Sequence, residues 1–434
     1  MLNKEKIFLY FNRAIVTCLC LLIFCLPFSK AVAESFAWTA IVLWILKRAL
    51  GYRSEALWGL LPKTGLNRAL LIYTLANVVS VISSARQDLF LRGLFGKELK
   101  FLLLYFILVE VVNNKKRLFS VLTALIASAA LIICDAAVQY YTQTDFLRKY
   151  AMLNHSFSAS FDSSSGFAGW LIVIIPVFLG IIALNLFPFR KIKFFLLLAV
   201  IIQSFYLLKT YSRGAWFGFL ISISFMTFYF VKKYPLKIKI LYLTAGTCLL
   251  IVILFLPFLL SPQFKYEVLT KFNFSQGINS RLKSIPQISW GSNLQRAKLW
   301  KESLRIIKDY PLTGCGLNNY SVVAKNYKSF DYGGVYPHNS YLQKTAETGI
   351  LGLFAFIFVL FSFFKIGIFH LNKHNNYLTL GFLAGILAFS VQAFFDTHFY
   401  SLQMVVLFWY IVGLTVAIIK IDREDVNMLN IKKG

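Results

Sequence analysis

The hydrophobic pattern divides the chain into long apolar segments that are separated by short polar ones. Roughly 20 apolar residues span a bilayer as a helix, and a helix satisfies its own backbone hydrogen bonds where water is absent. About twelve segments approach this length. The predicted spans are Ala14–Phe28, Ser35–Leu50, Ala69–Ser84, Leu99–Val112, Leu118–Val138, Gly166–Phe187, Phe194–Leu208, Ala215–Val231, Ile240–Leu260, Thr345–Phe369, Tyr377–Phe395 and Leu402–Lys420. The pattern therefore predicts an all-α, polytopic membrane protein.

One long polar stretch interrupts this pattern between the ninth and tenth predicted spans, from about Ser261 to Pro337. It predicts a large loop that contains short helices. The chain is therefore divided into three parts: a transmembrane bundle of about nine helices over residues 1–260, the loop over 261–340, and the last three spans with a tail over 341–434.

Within the loop, Asn293 to Asp309 has the spacing of an amphipathic helix. One predicted face carries Ala297, Trp300, Leu304 and Ile307, and another carries Lys301, Arg305 and Lys308. Such a helix either lies along the membrane surface or covers a site next to it. Pro311 and the Gly314-Cys315-Gly316 turn end it, so we assign these glycines a structural role.

Composition agrees with a membrane protein. The chain has 434 residues, of which 58% are hydrophobic, and a mean hydropathy of +0.67. Five of its six cysteines lie in predicted spans and one, Cys315, lies in the loop, so no disulfide framework is indicated. Metal-binding spacings such as CxxC and HExxH are missing from the sequence, and we therefore expect neither a catalytic metal nor a cofactor.

The formal net charge of +27 comes largely from basic loops at one side of the predicted bundle. Clear clusters are Lys115-Lys116-Arg117, Arg190-Lys191-Lys193 and Lys232-Lys233. Short cytoplasmic loops are enriched in Lys and Arg, so this distribution predicts cytoplasmic termini and a periplasmic long loop. The first span has no small-residue cleavage site and is interpreted as a retained helix. Scattered basic loops argue against nucleic-acid binding and for contact with anionic lipid.

With this orientation, several polar residues lie on the outer side of the membrane. His338 ends the loop, and an imidazole can exchange a proton near neutral pH. Arg213, in the turn before the eighth span, has a guanidinium that suits bidentate phosphate recognition. Arg296, at the start of the amphipathic helix, could also face a phosphate. Asp396, at the end of the eleventh span, could orient His338 or pair with an outer arginine.

Three of these residues also have a simpler interpretation. His338 could be a hydrogen-bonded surface residue, Arg213 could be an arginine that snorkels at a helix end, and Asp396 could be an interfacial cap. The rival class of protein is a transporter of about twelve helices. Transporters usually place ionisable residues near the membrane midplane, whereas these residues lie at the outer rim.

Two motifs resemble those of the O-antigen ligase family. The first is His338-Asn339 followed after nine residues by Gly349, and the second is Ser212-Arg213-Gly214 at the mouth of the eighth span. The segment from Arg296 to Gly316 resembles the part of the family's loop that precedes its histidine. The resemblance, with about twelve spans and one large loop, covers most of the chain.

This resemblance implies an inverting, metal-independent glycosyltransferase in the bacterial inner membrane, with its active site facing the periplasm. The enzyme would transfer a glycan from undecaprenyl pyrophosphate to an acceptor hydroxyl, in a ligase that of a lipid A-core sugar. O-antigen polymerases and related exopolysaccharide enzymes share the superfamily, so a polymerase remains the alternative.

The resemblance also implies roles for individual residues. His338 would be the general base for the acceptor hydroxyl. Arg213 and Arg296 would offset the charge of the departing pyrophosphate. Arg86, in another outer loop, is a further candidate for this task from its charge and position alone. Asp396 and Asn339 complete the predicted substrate-binding set.

Overall fold

The computed structural model describes residues 4–51, 61–152, 156–184, 190–232, 235, 295–328 and 336–431. Within these residues every regular element is helical, apart from an isolated β-bridge between Thr144 and Ala151. The helices are α1 Lys4–Cys25, α2 Lys30–Gly51, α3 Asn67–Val79, α4 Gln87–Gly93, α5 Leu99–Val111, α6 Lys115–Thr142, α7 Ser164–Leu184, α8 Arg190–Lys209, α9 Arg213–Val231, α10 over residues 295–309, α11 Tyr320–Val323, α12 Ser340–His374, α13 Tyr377–Gln392 and α14 Leu402–Ile431. Short turns of tighter or wider helix cover Ser80–Ser83, Leu94–Glu98, Ala324–Tyr327 and His398–Tyr400.

The helices agree with eleven of the predicted spans, and the remaining one, Ile240–Leu260, lies outside the described residues. In the described part of the chain, seven helices are long and apolar enough to cross a membrane, namely α1, α6, α7, α8, α9, α12 and α14. Helix α13, and α3 with its short extension, are apolar but shorter. The prediction of an all-helical, multi-pass membrane protein is confirmed. The total of about twelve spans and the division of the chain at residues 260 and 340 stay predictions.

Helix α13 packs closely against α7 and α9. Glycines make the contacts close: a Cβ on Gly381 would lie 2.5 Å from the carbonyl oxygen of Pro176, and one on Gly218 would lie 2.6 Å from that of Ala388. Small residues let membrane helices approach until their backbones touch. This packing brings the starts of α7 and α9 next to the end of α13, where the candidate residues lie.

The loop is attached to α12 by backbone hydrogen bonds. The amides of Cys315 and Gly316 donate to the carbonyls of Ala346 and Glu347 at 2.8 and 2.9 Å. Helix α12 is interrupted at Gly349, where φ is 67°, and a Cβ there would lie 2.0 Å from the carbonyl oxygen of Leu312. The loop therefore crosses α12 so closely that only glycine fits at this position of the motif.

Helix α10 confirms the predicted helix, but its buried face differs from the predicted one. The buried residues are Leu299, Glu302, Ser303 and Ile306, whereas Leu304 is 55% exposed. Apolar periodicity missed this face because two of its members are polar; Ser303, for example, forms a 2.7 Å hydrogen bond with the Tyr320 hydroxyl. The helix covers a small core of the loop itself, made of Ile306, Cys315, Tyr320, Val323, Ala324 and Ala346.

A buried ion pair holds the first turns of α12. The Lys344 ammonium lies 2.7 Å from the Glu98 carboxylate, which also accepts a 2.8 Å hydrogen bond from the Tyr73 hydroxyl. The same ammonium lies over the Tyr73 ring, 4.7 Å from its centroid. Breaking a buried pair by removing one partner leaves an uncompensated charge, so this contact strongly favours one position of α12.

Candidate functional site

His338 lies in a strained turn between the loop and α12. Its φ is 47°, in the left-handed region that costs a residue with a Cβ about 1–2 kcal/mol. The turn is held from both sides. The Trp300 indole donates a 2.8 Å hydrogen bond to the carbonyl of Pro337, and the Asn339 side chain caps α12 by accepting from the amides of Tyr341 and Leu342 at 3.0 Å. The His338 side chain itself is 44% exposed.

Asp396 approaches His338 from the connection between α13 and α14. The imidazole Nδ1 lies 3.3 Å from Oδ1 of Asp396, which also accepts a 2.8 Å hydrogen bond from the amide of Thr397. The Ser165 hydroxyl donates to Oδ2. Burial acts to raise the pKa of the Asp396 carboxyl, but these hydrogen bonds and the neighbouring His398 hold that pKa well below its usual range. Because an ionised carboxylate only accepts hydrogen bonds, Nδ1 of His338 is the donor in this contact, and the matching neutral tautomer has its lone pair on Nε2.

The start of α12 fixes the distance between these two residues. The Ser340 hydroxyl donates to the carbonyl of Asp396 at 2.8 Å, and the Ser340 amide donates to the carbonyl of Ala393, also at 2.8 Å. The connection after α13 is therefore bound to the residue two positions beyond His338. This arrangement gives a histidine–carboxylate pair, which orients an imidazole for general-base catalysis.

A cavity of about 340 Å³, which we call the histidine cavity, opens beside this pair. His338, Gln343, Glu347, Asp396 and Tyr400 are part of its wall, and Lys30, Lys97 and Asp162 also line it. Lysine and carboxylate groups are mixed there, together with several amides and hydroxyls. Such a surface suits a polar ligand rich in hydrogen-bonding groups.

A second cavity, of about 230 Å³, contains the two arginines and is called the arginine cavity. Arg213, at the start of α9, and Arg296, at the start of α10, line it together with Ser165, Tyr211 and Ser212. Gly214 permits this position of Arg213, because a Cβ on Gly214 would lie 2.7 Å from the Cβ of Phe395. Asp396 lines both cavities and stands between them.

Comparison with known families gives a match in the second half of the chain. Residues 197–357 match the family model described as O-antigen ligase. This segment is similar to an O-antigen ligase domain, which supports the chain's resemblance to the O-antigen ligase family. The matched segment contains Arg213, Arg296 and His338, whereas Asp396 lies beyond its end. A comparison with curated proteins gives no match.

This match supports the resemblance that the motifs predicted. It implies a glycosyltransferase-like membrane enzyme that acts on lipid-linked glycans. Of the six site residues predicted from the sequence, four lie around the two cavities: His338, Asp396, Arg213 and Arg296. Their chemical roles stay predictions.

The other two predicted residues have different positions. Asn339 is 6% exposed, and its side-chain oxygen is occupied by the α12 cap. Arg86 lines neither cavity, and its guanidinium forms two hydrogen bonds with the Asp88 carboxylate, at 3.0 and 2.8 Å. Both are therefore engaged in local structure.

Sequence reasoning missed three residues that lie at the two cavities. Ser165 binds Asp396, while Gln343 and Glu347 line the histidine cavity. Glu347 lies inside a predicted span, and an acid at such a position is a recognised signal of function. For Ser165 and Gln343 the sequence offers no comparable signal, because neutral polar residues are common at helix ends.

Proposed function

We propose that this protein transfers a glycan from undecaprenyl pyrophosphate to a sugar hydroxyl of lipid A-core, at the periplasmic face of the bacterial inner membrane. One observation carries the proposal. Asp396 lines both cavities, so the imidazole and the two arginine positions lie on either side of one carboxylate. A transferase of this kind needs cations for its charged leaving group and a base for its neutral nucleophile, and the two cavities would supply them separately.

The donor pyrophosphate would bind in the arginine cavity. A sugar linked to pyrophosphate already has a good leaving group, so the enzyme mainly has to stabilise the negative charge that develops on departure. The guanidinium groups of Arg213 and Arg296 are suited to that task, because each can form paired hydrogen bonds with phosphate oxygens. The hydroxyls of Ser165, Tyr211 and Ser212 would supply further donors.

The acceptor hydroxyl would bind in the histidine cavity. Nε2 of His338 takes its proton while the hydroxyl oxygen bonds to the anomeric carbon, and the bonding pair of the broken carbon–oxygen bond leaves with the pyrophosphate. Attack from the side opposite the leaving group inverts the anomeric centre. Asp396 stabilises the imidazolium that forms. In this cavity the carboxylates of Asp162 and Glu347 offset the ammonium groups of Lys30 and Lys97, and such mixed charges suit neutral hydroxyls.

The lipid tail of the donor requires an apolar approach to the arginine cavity. Phe395 lines that cavity, and its ring contacts Phe217 edge-on at a centroid distance of 6.3 Å. Phe217 is 51% exposed on α9, one turn from Arg213. These rings provide an apolar surface along which a polyprenyl chain could lie while its pyrophosphate binds to the arginines.

The decisive experiment compares two histidine variants of the purified, membrane-reconstituted protein. His338→Ala should lower the rate of glycan transfer roughly 10²- to 10⁴-fold, the usual contribution of proton transfer. His374→Ala, at the other end of the same helix, is the matched control and should retain nearly the wild-type rate. The assay supplies undecaprenyl-pyrophosphate glycan and lipid A-core and measures the new glycosidic bond. A folded His338→Ala protein with a near wild-type rate would refute the proposal.

The products of the same assay separate the alternatives. A single glycan attached once to each acceptor supports a ligase. A ladder of lengthening lipid-linked chains identifies the polymerase of the same superfamily. Movement of the donor across the membrane without a new glycosidic bond identifies a transporter.

A further inference from the structure

Gln343 has a buried carbonyl without a hydrogen-bond partner on the wall of the histidine cavity. It lies one helical turn beyond Asn339, and its side chain is fully buried. Its amide nitrogen donates to Oε1 of Glu347 at 3.4 Å, while its Oε1 has no partner within the described part of the chain. A buried carbonyl that gives up water without a replacement donor costs free energy, so such an atom in a cavity wall calls for a ligand.

Glu347 fixes which way this amide points. Oε2 of Glu347 accepts hydrogen bonds from the amide of Asn318 at 3.0 Å and from the hydroxyl of Tyr400 at 3.1 Å. Oε2 therefore acts as an acceptor. If the Gln343 side chain were flipped, its oxygen would face Oε1 of an ionised Glu347 without a hydrogen between them. The nitrogen thus stays on the Glu347 side, and the oxygen is the atom that still needs a donor.

The histidine cavity is far larger than the space that one trapped water fills. A single water needs roughly 10–15 Å³ of the same kind of space, whereas the histidine cavity measures about 340 Å³. Its wall offers the Tyr400 hydroxyl, the Glu347 carboxylate and the Gln343 carboxamide close together. A sugar ring carries several hydroxyls, each of which donates one hydrogen and can accept others, so it matches this set of groups.

We propose that Gln343 is a specificity-determining residue for the acceptor, and that its Oε1 accepts a hydrogen bond from a hydroxyl next to the one that reacts. The inference rests on the proposed function, because it assigns the histidine cavity to the acceptor glycan. It adds a recognition contact that is separate from the His338 base and from the arginines. Gln343 would then affect the binding of the acceptor and leave the binding of the donor unchanged.

The test replaces Gln343 with methionine, which has a similar length and lacks both hydrogen-bonding groups. The probe is a lipid A-core oligosaccharide freed of its acyl chains, used with the full-length protein in nanodiscs. Gln343→Met should raise the KM for this acceptor roughly 2- to 13-fold, the effect of one neutral hydrogen bond, with the KM for the donor unchanged. Gln203→Met is the matched control: Gln203 is also a fully buried helical glutamine without partners for its amide in the described chain, but it lines neither cavity. It should alter neither KM.

The inference would be overturned if Gln343→Met changed the KM values for acceptor and donor equally, or changed neither. It would also be overturned if Gln203→Met changed the acceptor KM as much as Gln343→Met. Direct calorimetric binding of the oligosaccharide to His338→Ala protein, with and without Gln343→Met, tests it independently of turnover. Weaker binding in the double variant supports the subsite even if no glycan is transferred. Unchanged binding overturns it, even if the transferase activity itself is established.

Discussion

Replacing Asp396 with asparagine or alanine tests how the carboxylate acts through His338. In Asp396→Asn, the amide of Thr397 still needs an acceptor, and it lies 2.8 Å from the position of Oδ1. The asparagine oxygen should therefore occupy that position, and its nitrogen should face Ser165, whose hydroxyl can accept. Nδ1 of His338 keeps an acceptor, so Nε2 remains available as the base.

The asparagine variant should consequently lose only the charge of the contact. A hydrogen bond to a charged group contributes about 1.5–3 kcal/mol and a neutral one about 0.5–1.5 kcal/mol, so the loss is about 1–2 kcal/mol, or roughly 5- to 30-fold in rate. Asp396→Ala removes the acceptor altogether, so nothing holds the productive tautomer. The transfer rate of Asp396→Ala should therefore fall nearly as far as that of His338→Ala, roughly 10²- to 10⁴-fold.

The assay is single-turnover glycan transfer by reconstituted protein at saturating donor and acceptor, with His338→Ala as the baseline. Gel filtration and circular dichroism establish that each variant is folded. If the asparagine variant loses as much activity as the alanine variant, the Thr397 amide does not orient the side chain as described. Near wild-type activity in both variants would refute any action of Asp396 through His338.

The same variant should alter the dependence of stability on pH. Burial acts to raise the Asp396 pKa, but its hydrogen bonds hold it well below the ordinary value. A carboxyl whose pKa is lower in the folded protein stabilises it above the unfolded pKa, about 3.9, and loses that contribution as the pH falls further. Thermal unfolding in detergent should therefore show Asp396→Asn less stable than wild type at pH 7, with the difference shrinking toward pH 3. A constant difference between the two proteins would contradict this reasoning.

Two further predictions concern an arginine and a glycine. Arg213→Ala should lower the transfer rate roughly 10²- to 10³-fold, as does loss of one donor to a developing oxyanion. Arg86→Ala, the control, removes an exposed ion pair outside both cavities, so its transfer rate should stay within about threefold of wild type. Equal losses of rate in the two variants would contradict the assignment of the pyrophosphate to the arginine cavity. Gly349→Ala should greatly reduce the yield and melting temperature of folded protein, because φ is 67° and the new Cβ would lie 2.0 Å from the Leu312 carbonyl. Gly96→Ala, with nothing within 4 Å of the new Cβ, is its control, and equal thermal stability of both variants would contradict the close crossing.

The sequence determined the elements that depend on neighbouring residues. Long apolar segments predicted the helices, because a membrane-spanning helix has to present apolar side chains along its whole length. The motif from His338 to Gly349 was visible in the sequence, whereas the crossing of Leu312 that requires the glycine was not. Basic loops on one side of the bundle indicated an orientation, which stays a prediction.

Only the tertiary structure decided which distant residues meet. Ser165 and Asp396 lie 231 positions apart and are joined because α7 packs against α13 through glycines such as Gly381. The burial of Gln343 and Glu347, and the face that α10 turns inward, depend in the same way on partners elsewhere in the chain. Apolar periodicity records the average surroundings of a helix, whereas a buried polar contact depends on one partner, whose position is set by the packing of the whole bundle.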